Sequence, residues 1–212
     1  MVEKSNLSGY LAPLQDLRLV ERRVPATVPP LQRPMSRRGR YHLRDPYFRF
    51  YFRFLAQGAD AAIFQTDLIL RDIEQGLQAF VGQTAFEELA RHWVLAQSTH
   101  GRLPFMPETI GSYWGSGAQV DVAAVDWSRR YILLGECTWS RSPMPATTVE
   151  ALIKQKTPKV LAELSGDPSE WSVVYVFFAR AGFTSGAQKA AATVGATLVD
   201  LATLDAGIGV EG

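Results

Sequence analysis

The sequence predicts an α/β fold, in which helices cover a β-sheet. A stretch at residues 131–139, apolar over 131–134, and an alternating stretch at 119–126 predict two neighbouring strands. A short connection joins them, which is typical of an antiparallel hairpin. A continuous apolar stretch at 171–178 predicts a central strand. The remaining predicted elements are amphipathic helices at 147–164 and 185–194 and a last strand at 197–201. Helices alternating with strands in this way are typical of an α/β sandwich.

Each strand of the predicted hairpin carries one carboxylate. Residues two apart in a strand share a face, so Asp121 should face the same side as Ala123 and Val125, and Glu136 the same side as Thr138. Burying a lone carboxylate costs several kcal/mol unless it is paired or meets a cation. Spacing alone leaves two interpretations open: a divalent metal site, or an ion pair between each acid and an arginine.

Composition restricts the compartment and the class of protein. The 212 residues suffice for one domain or two small ones. The single cysteine, Cys137, excludes an internal disulfide, fits a reducing compartment, and is expected to be a small core residue. No apolar run reaches ~18 residues, and the first residues lack the apolar core of a signal peptide. We therefore expect a cytoplasmic protein without a membrane span.

Basic residues are concentrated in the first quarter of the chain. Up to Gln57 there are 11 Lys and Arg against 4 Asp and Glu, whereas the remainder has 11 against 17. Such an excess indicates a polyanion or an acidic partner. A solvated basic surface is the alternative, and charge alone does not separate the two.

The first 45 residues have the pattern of the back half of a winged helix. A helix at 6–17, a strand at 19–24, a basic turn at 36–39 and a strand at 40–43 follow one another. In a winged helix, a helix enters a groove of DNA and a basic wing contacts phosphate. The candidate DNA contacts are Arg22, Arg23, Arg37, Arg38 and Arg40. Packing of the hairpin against a neighbouring domain, with these arginines solvated, is the equally open alternative.

An aromatic-rich helical connector is predicted to follow. Tyr and Phe residues crowd positions 46–55 with arginines between them, a pattern that suits base stacking but more often marks a packed core helix. Helices are expected at 66–77 and 84–97, with a break between them at 80–82. Glu87 lies beside the apolar stripe of the second helix and can turn towards the hairpin. Residues 100–117 are expected to form a loop-rich connection.

Three motifs, in their order along the chain, resemble the PD-(D/E)XK or restriction-endonuclease-like superfamily. They are Phe86-Glu87 on a helix, VDVAAVD at 120–126 and GECTW at 135–139. The signature of that superfamily is a helix glutamate, an aspartate, and Glu-x-Lys on the next strand. Together with GYLAPLQDLRLVERRVP, SRRGRYHLRDPYFRFYFRF and FEELAR, they make nearly the whole chain similar to the C-terminal region of archaeal-type P-loop ATPases. No GxxxxGK[ST] motif occurs in these 212 residues.

The resemblance implies a domain organisation and a set of partners. It implies a partial winged helix at 1–45, the aromatic-rich connector at 46–82, and a nuclease-like domain at 83–212 whose mixed sheet is flanked by helices. DNA is the implied substrate. A P-loop ATPase domain or chain, and further copies of this chain, are the implied protein partners.

The resemblance also implies a metal site. Asp121 and Glu136 would bind Mg²⁺, with Mn²⁺ as a substitute, and Glu87 would assist. Carboxylates together with phosphate oxygens and water suit Mg²⁺. Zinc is not expected, because three scattered histidines and one cysteine show no ligand spacing.

Thr138 departs from the superfamily signature, which has lysine at this position. A hydroxyl cannot supply a fixed positive charge, and loss of one such donor costs ~10²–10³ in rate. Lys154, which we name as the candidate substitute, or Lys156 would have to act from the following helix. Since they are two residues apart they face different ways, and only one would reach. The sequence thus predicts either a Mg²⁺-dependent DNA endonuclease or a catalytically inactive module that binds DNA or docks onto an ATPase.

Overall fold

The computed structural model describes residues 7–56 and 66–209, and these residues divide into two compact units. The first unit contains the described residues up to Val24 together with Arg37–Ala85, and the second contains Pro25–Ser36 and the described residues from Phe86 onwards. No helix in this described part of the chain is long and apolar enough to cross a membrane.

The first unit is built from helices and a two-stranded antiparallel sheet. Its elements are α1 (Leu7–Asp16), β1 (Val20–Arg23), β2 (Arg40–Leu43), α2 (Pro46–Phe50) and α3 (Thr66–Val81). Asp45 and Pro46 begin helix α2: the Asp45 carboxylate accepts a hydrogen bond of 2.7 Å from the Tyr47 N–H, and Pro46 has no N–H that would need an acceptor. A π turn, Tyr51–Leu55, continues this helix.

The aromatic residues of this segment pack inside the first unit. The ring of Phe54 is buried, with its centroid 5.0 Å from that of Phe50 and 5.5 Å from that of Phe80. Gly76 of α3 permits this contact, because a Cβ there would lie 2.9 Å from the Phe54 ring. These rings therefore form an aromatic core contact between α2 and α3.

A five-stranded mixed sheet forms the centre of the second unit. Its strands are β3 (Thr109–Gly115), β4 (Ala118–Asp126), β5 (Tyr131–Thr138), β6 (Ser172–Ala179) and β7 (Thr197–Val199), in that spatial order. The first three strands pair antiparallel, and β5, β6 and β7 pair parallel. Parallel neighbours require crossover connections, and helices supply them between β5 and β6 and between β6 and β7.

Helices cover both faces of this sheet. They are α4 (Glu87–Thr99), α5 (Ala146–Ala151), α6 (Thr157–Leu161), α7 (Ser185–Ala192) and α8 (Leu201–Ile208), with a π turn, Leu152–Lys156, joining α5 to α6. On one face, Trp93 of α4 and Leu204 of α8 pack in a cluster with Leu133 of the sheet. On the other face, Leu152 packs in a cluster with Ile132. Two buried layers therefore enclose the strands that carry the acids.

The predicted α/β fold with a mixed sheet between helices is confirmed, but two elements are missing from the prediction. Within the predicted loop-rich connection at 100–117, β3 forms as an edge strand paired with β4. Its two glycines weaken the local strand signal, and pairing with β4 overrides it. Helix α8 follows β7, where the Asp200 carboxylate caps it by accepting a 2.8 Å hydrogen bond from the Thr203 N–H.

The predicted break at residues 80–82 is also wrong. Helix α3 extends to Val81, and a π turn, Gly82–Phe86, leads directly into α4. A glycine within a helix costs ~1 kcal/mol relative to alanine, which weakens a helix without ending it. Glu87 is consequently the first residue of α4.

Candidate functional site

A β-bulge in β4 determines where Asp121 lies. Two residues of β4, Asp121 and Val122, lie opposite a single residue of β3, Ser112. The bulge interrupts the predicted alternation, because Val120 packs in the same core cluster as Ala123. Bulges re-aim side chains and are common beside active sites. The position of the Asp121 side chain therefore depends on a local irregularity that a period of two does not predict.

The Asp121 carboxylate lies at the end of the β4–β5 pairing. Regular pairing runs from Asp126 back to Val122. One residue further, the backbone N–H of Cys137 donates a 2.9 Å hydrogen bond to Oδ2 of Asp121. Glu136 immediately precedes Cys137 on β5, so both acids predicted as metal ligands occur at the same end of the hairpin.

The ammonium group of Lys156 lies beside Glu136. Its Nζ is 2.8 Å from Oε1 of Glu136, and the Glu136 side chain is only 10% exposed. Lys156 ends the π turn that joins α5 to α6, four residues after the fully buried Leu152. Residues four apart lie on the same side of a helix, so the buried Leu152 directs Lys156 towards the sheet.

The choice of Lys154 as the substitute lysine requires correction. Lys154 is 68% exposed, and its Nζ pairs with Glu150 at 3.1 Å, one helical turn earlier. It lies two residues after the buried Leu152, and positions two apart on a helix do not face the same way. Of the two lysines, Lys156 is the one that contacts a site carboxylate.

Burial raises the pKa of both hairpin acids, and the charge of Asp121 raises that of Glu136 further. The pKa of Glu136 rises to about 7, chiefly through burial and then through the negative charge of Asp121, although the hydrogen bond and charge of Lys156 oppose the rise. The pKa of Asp121 is also raised by burial, while the Cys137 N–H and the charges of Lys156 and Arg91 oppose this. Perturbed acids that influence one another are typical of functional sites.

Glu87 and Arg91 of α4 border the same group of acids. Glu87 adds to the rise in the pKa of Glu136. Nη1 of Arg91 is 3.5 Å from Oε2 of Glu87, 3.0 Å from Oγ of Ser112 and 3.2 Å from the backbone oxygen of Asp121. Arg91 was not predicted as a site residue, although its i,i+4 spacing from Glu87 is a recognisable ion-pair signal.

Thr138 ends β5 without supplying a charge to the site. Its carbonyl oxygen accepts a 3.0 Å hydrogen bond from the Arg180 N–H, after the last residue of β6. The Arg180 guanidinium lies over the ring of Trp139, with its carbon 4.9 Å from the ring centroid, which is a cation–π distance.

The neighbouring Cys137 has a pKa raised well above that of a free thiol, mainly by burial and then by Asp121, consistent with an unreactive core residue.

The two hairpin carboxylates suit a hard divalent cation. Mg²⁺ is usually held by one or two carboxylates, with waters and phosphate oxygens completing its shell. Within residues 7–56 and 66–209, no group of three or more His, Cys, Asp or Glu side chains is arranged to hold a metal ion. Two carboxylates suit a site that substrate oxygens and water would complete.

The five predicted DNA contacts lie on or next to the two-stranded sheet of the first unit. Arg22 and Arg23 are on β1, Arg40 is on β2, and Arg37 and Arg38 precede β2. Arg23 pairs with Glu21 on its own strand and lies opposite Arg40. Arg37 and Arg40 are exposed, whereas the other three are partly buried.

The region that contains the three acids matches a family described as archaeal and bacterial proteins of unknown function (DUF234). The match covers residues 51–154, which include Glu87, Asp121 and Glu136. An uncharacterized protein of Methanocaldococcus jannaschii is 30% identical over 138 residues, which are 64% of this chain and 29% of that protein. The chain thus spans less than a third of this relative's length. No solved structure matches the chain.

Proposed function

We propose that the second unit is a nuclease-like domain with a restriction-endonuclease-like fold, which hydrolyses phosphodiester bonds of DNA with Mg²⁺. Glu87 on α4, Asp121 on β4 and Glu136 on the next strand follow the order of the superfamily signature. Their grouping supports the proposal, because the negative charges of Asp121 and Glu87 both raise the pKa of Glu136.

The 2.8 Å contact between Lys156 Nζ and Glu136 Oε1 carries the proposal. In the superfamily signature a lysine two residues after the glutamate provides the positive charge, and Thr138 cannot provide it here. Lys156 brings an ammonium group to the same carboxylates from the following helix. A charge that arrives from another element can serve the same chemistry, because catalysis depends on the position of the charge in space.

Each side chain then has a defined role. Asp121 and Glu136 would hold the cation, which neutralises charge on the phosphate and lowers the pKa of a bound water. Lys156 would stabilise the negative charge that develops on the phosphate oxygens. Glu87 would add negative charge beside the cation site, and Arg91 balances part of it.

The basic first unit would bind the DNA backbone. Arg22, Arg23, Arg37, Arg38 and Arg40 occupy or adjoin a two-stranded sheet, as the partial winged helix requires. Phosphate contacts position a protein on DNA without reading its sequence. We further propose that the chain acts with a P-loop ATPase domain or chain and with other copies of itself, as the resemblance of its motif order implies.

A catalytically inactive module on the same scaffold is the second candidate. Two observations favour it: threonine replaces the signature lysine, and Lys156 already bonds one oxygen of Glu136. Such a module would bind DNA tightly and with a strong dependence on salt, or it would dock onto an ATPase.

Incubation with supercoiled plasmid separates the two candidates. With Mg²⁺ or Mn²⁺ the wild-type chain should nick or linearise the plasmid, whereas EDTA should stop cleavage. Asp121→Asn keeps an oxygen that can accept the Cys137 N–H hydrogen bond but removes the charge, and we expect it to lower the rate at least ~10²-fold. Salt-sensitive binding without cleavage would favour the inactive module, and cleavage that survives Asp121→Asn would belong to a contaminant.

A further inference from the structure

One side chain of α4 contacts both strands at the β4 bulge. Arg91, on the first turns of α4, is only 12% exposed, and its Nη1 contacts both strands at the bulge. Its acceptors there are Oγ of Ser112 on β3 and the backbone oxygen of Asp121 on β4. A guanidinium nitrogen of this type carries two hydrogens, so these two shorter contacts use its donor capacity.

We infer that Arg91 is a positioning residue that holds the bulge in register and thereby fixes the Asp121 carboxylate opposite the Cys137 N–H. A bulge leaves a residue outside the regular ladder, where a side-chain donor can satisfy the backbone oxygen that the ladder does not serve. The backbone and the carboxylate of Asp121 are then anchored separately, by Arg91 and by β5.

The same arginine limits the repulsion between the acids. Its Nη1 forms an i,i+4 ion pair with Glu87 at 3.5 Å, so Glu87 is partly neutralised on the side that faces the strands.

This inference rests on the proposed function, since it specifies how the proposed metal ligand is held. Outer partners of metal ligands are expected to change metal affinity 10–100-fold when they are removed.

Two readouts on the 212-residue chain test the inference. Mn²⁺ affinity, measured by electron paramagnetic resonance at a temperature well below unfolding, should fall at least about tenfold in Arg91→Gln. Amide hydrogen exchange of Cys137 should also accelerate at least about tenfold, while Leu133, within the regular β4–β5 pairing, should exchange as in the wild type. The second readout needs neither metal nor activity.

Two further variants separate positioning from charge and from general damage. Ser112→Ala removes one acceptor but keeps the Arg91 charge, so it should weaken Mn²⁺ binding less, and its effect should not add to that of Arg91→Gln. Arg102→Gln is the matched control, because Arg102 is exposed beyond the end of α4 and contacts Gln97. The control should leave both readouts unchanged.

The outcomes distinguish failure of this inference from failure of the proposed function. If wild-type protein binds no Mn²⁺, the proposed function fails, and selective loss of Cys137 protection in Arg91→Gln would still support the positioning role. Unchanged Mn²⁺ affinity and unchanged Cys137 exchange in Arg91→Gln would overturn the inference. Equal acceleration at Cys137 and Leu133 would also overturn it, because that result indicates general destabilisation.

Discussion

Lys156→Met should lower the rate of DNA cleavage by about 10²–10³-fold. Methionine preserves most of the side-chain volume and removes the ammonium group that lies 2.8 Å from Oε1 of Glu136. Loss of one preorganised charge donor has an effect of this size. The pH dependence of the remaining activity should shift upwards, because Lys156 opposes the rise in the pKa of Glu136. Single-turnover cleavage measured across pH with excess protein gives both values.

Lys154→Met is the matched control for this experiment. Lys154 belongs to the same π turn and carries the same charge, but it is 68% exposed and pairs with Glu150. Exposed i,i+4 pairs contribute ~0.3–0.5 kcal/mol, so its loss should change neither the fold nor the cleavage rate appreciably. Equal loss of activity in both variants would contradict a catalytic role for Lys156. It would indicate instead a general effect of positive charge on DNA binding.

Glu136→Gln should remove activity and also make the fold more stable at alkaline pH. The pKa of Glu136 is about 7 in the folded protein, raised from 4.5. Between these values the unfolded chain loses a proton that the folded chain keeps, so the free energy of unfolding falls as pH rises from about 4.5 to about 7. Each pKa unit corresponds to about 1.4 kcal/mol, so ionised Glu136 costs the fold about 3 kcal/mol above pH 7.

Glutamine eliminates this cost and keeps an oxygen that can accept a hydrogen bond from Lys156. Urea unfolding at pH 4.5, 6 and 8 should therefore show a flatter pH dependence for Glu136→Gln than for wild type, with the variant the more stable at pH 8. Glu150→Gln, on the exposed face of α5, serves as the control and should follow the wild type. A variant that is less stable than wild type at pH 8 would contradict a destabilising buried carboxylate.

The sequence predicts most of the sheet because hydrophobic patterns decide it. The apolar stretch of β5 and the continuous apolar stretch of β6 need little context, since both strands are buried on two sides. Strand β3 shows no such pattern, and its formation depends on an antiparallel partner, β4. The mixed sheet was therefore predictable in outline but not at its edge.

The site was predictable by residue type and less so by geometry. The two hairpin acids stand out because carboxylates are rare in apolar strands. Lys156 and not Lys154 reaches the site because of which face of the helix is buried. The packing of Leu152 determines that face. The anchoring of Asp121 by Arg91 could not be predicted, because it requires a one-residue bulge. Such a bulge changes the sequence pattern only by interrupting the alternation of strand faces.

Direct titration with Mn²⁺, followed by electron paramagnetic resonance, tests most directly whether the hairpin carboxylates form a cation site. We expect wild-type chain to bind one Mn²⁺ with an affinity that Asp121→Asn and Glu136→Gln each weaken by at least about tenfold, and that Mg²⁺ competes for. Wild-type chain that binds no Mn²⁺, or binds it equally well in both variants, would contradict the proposal.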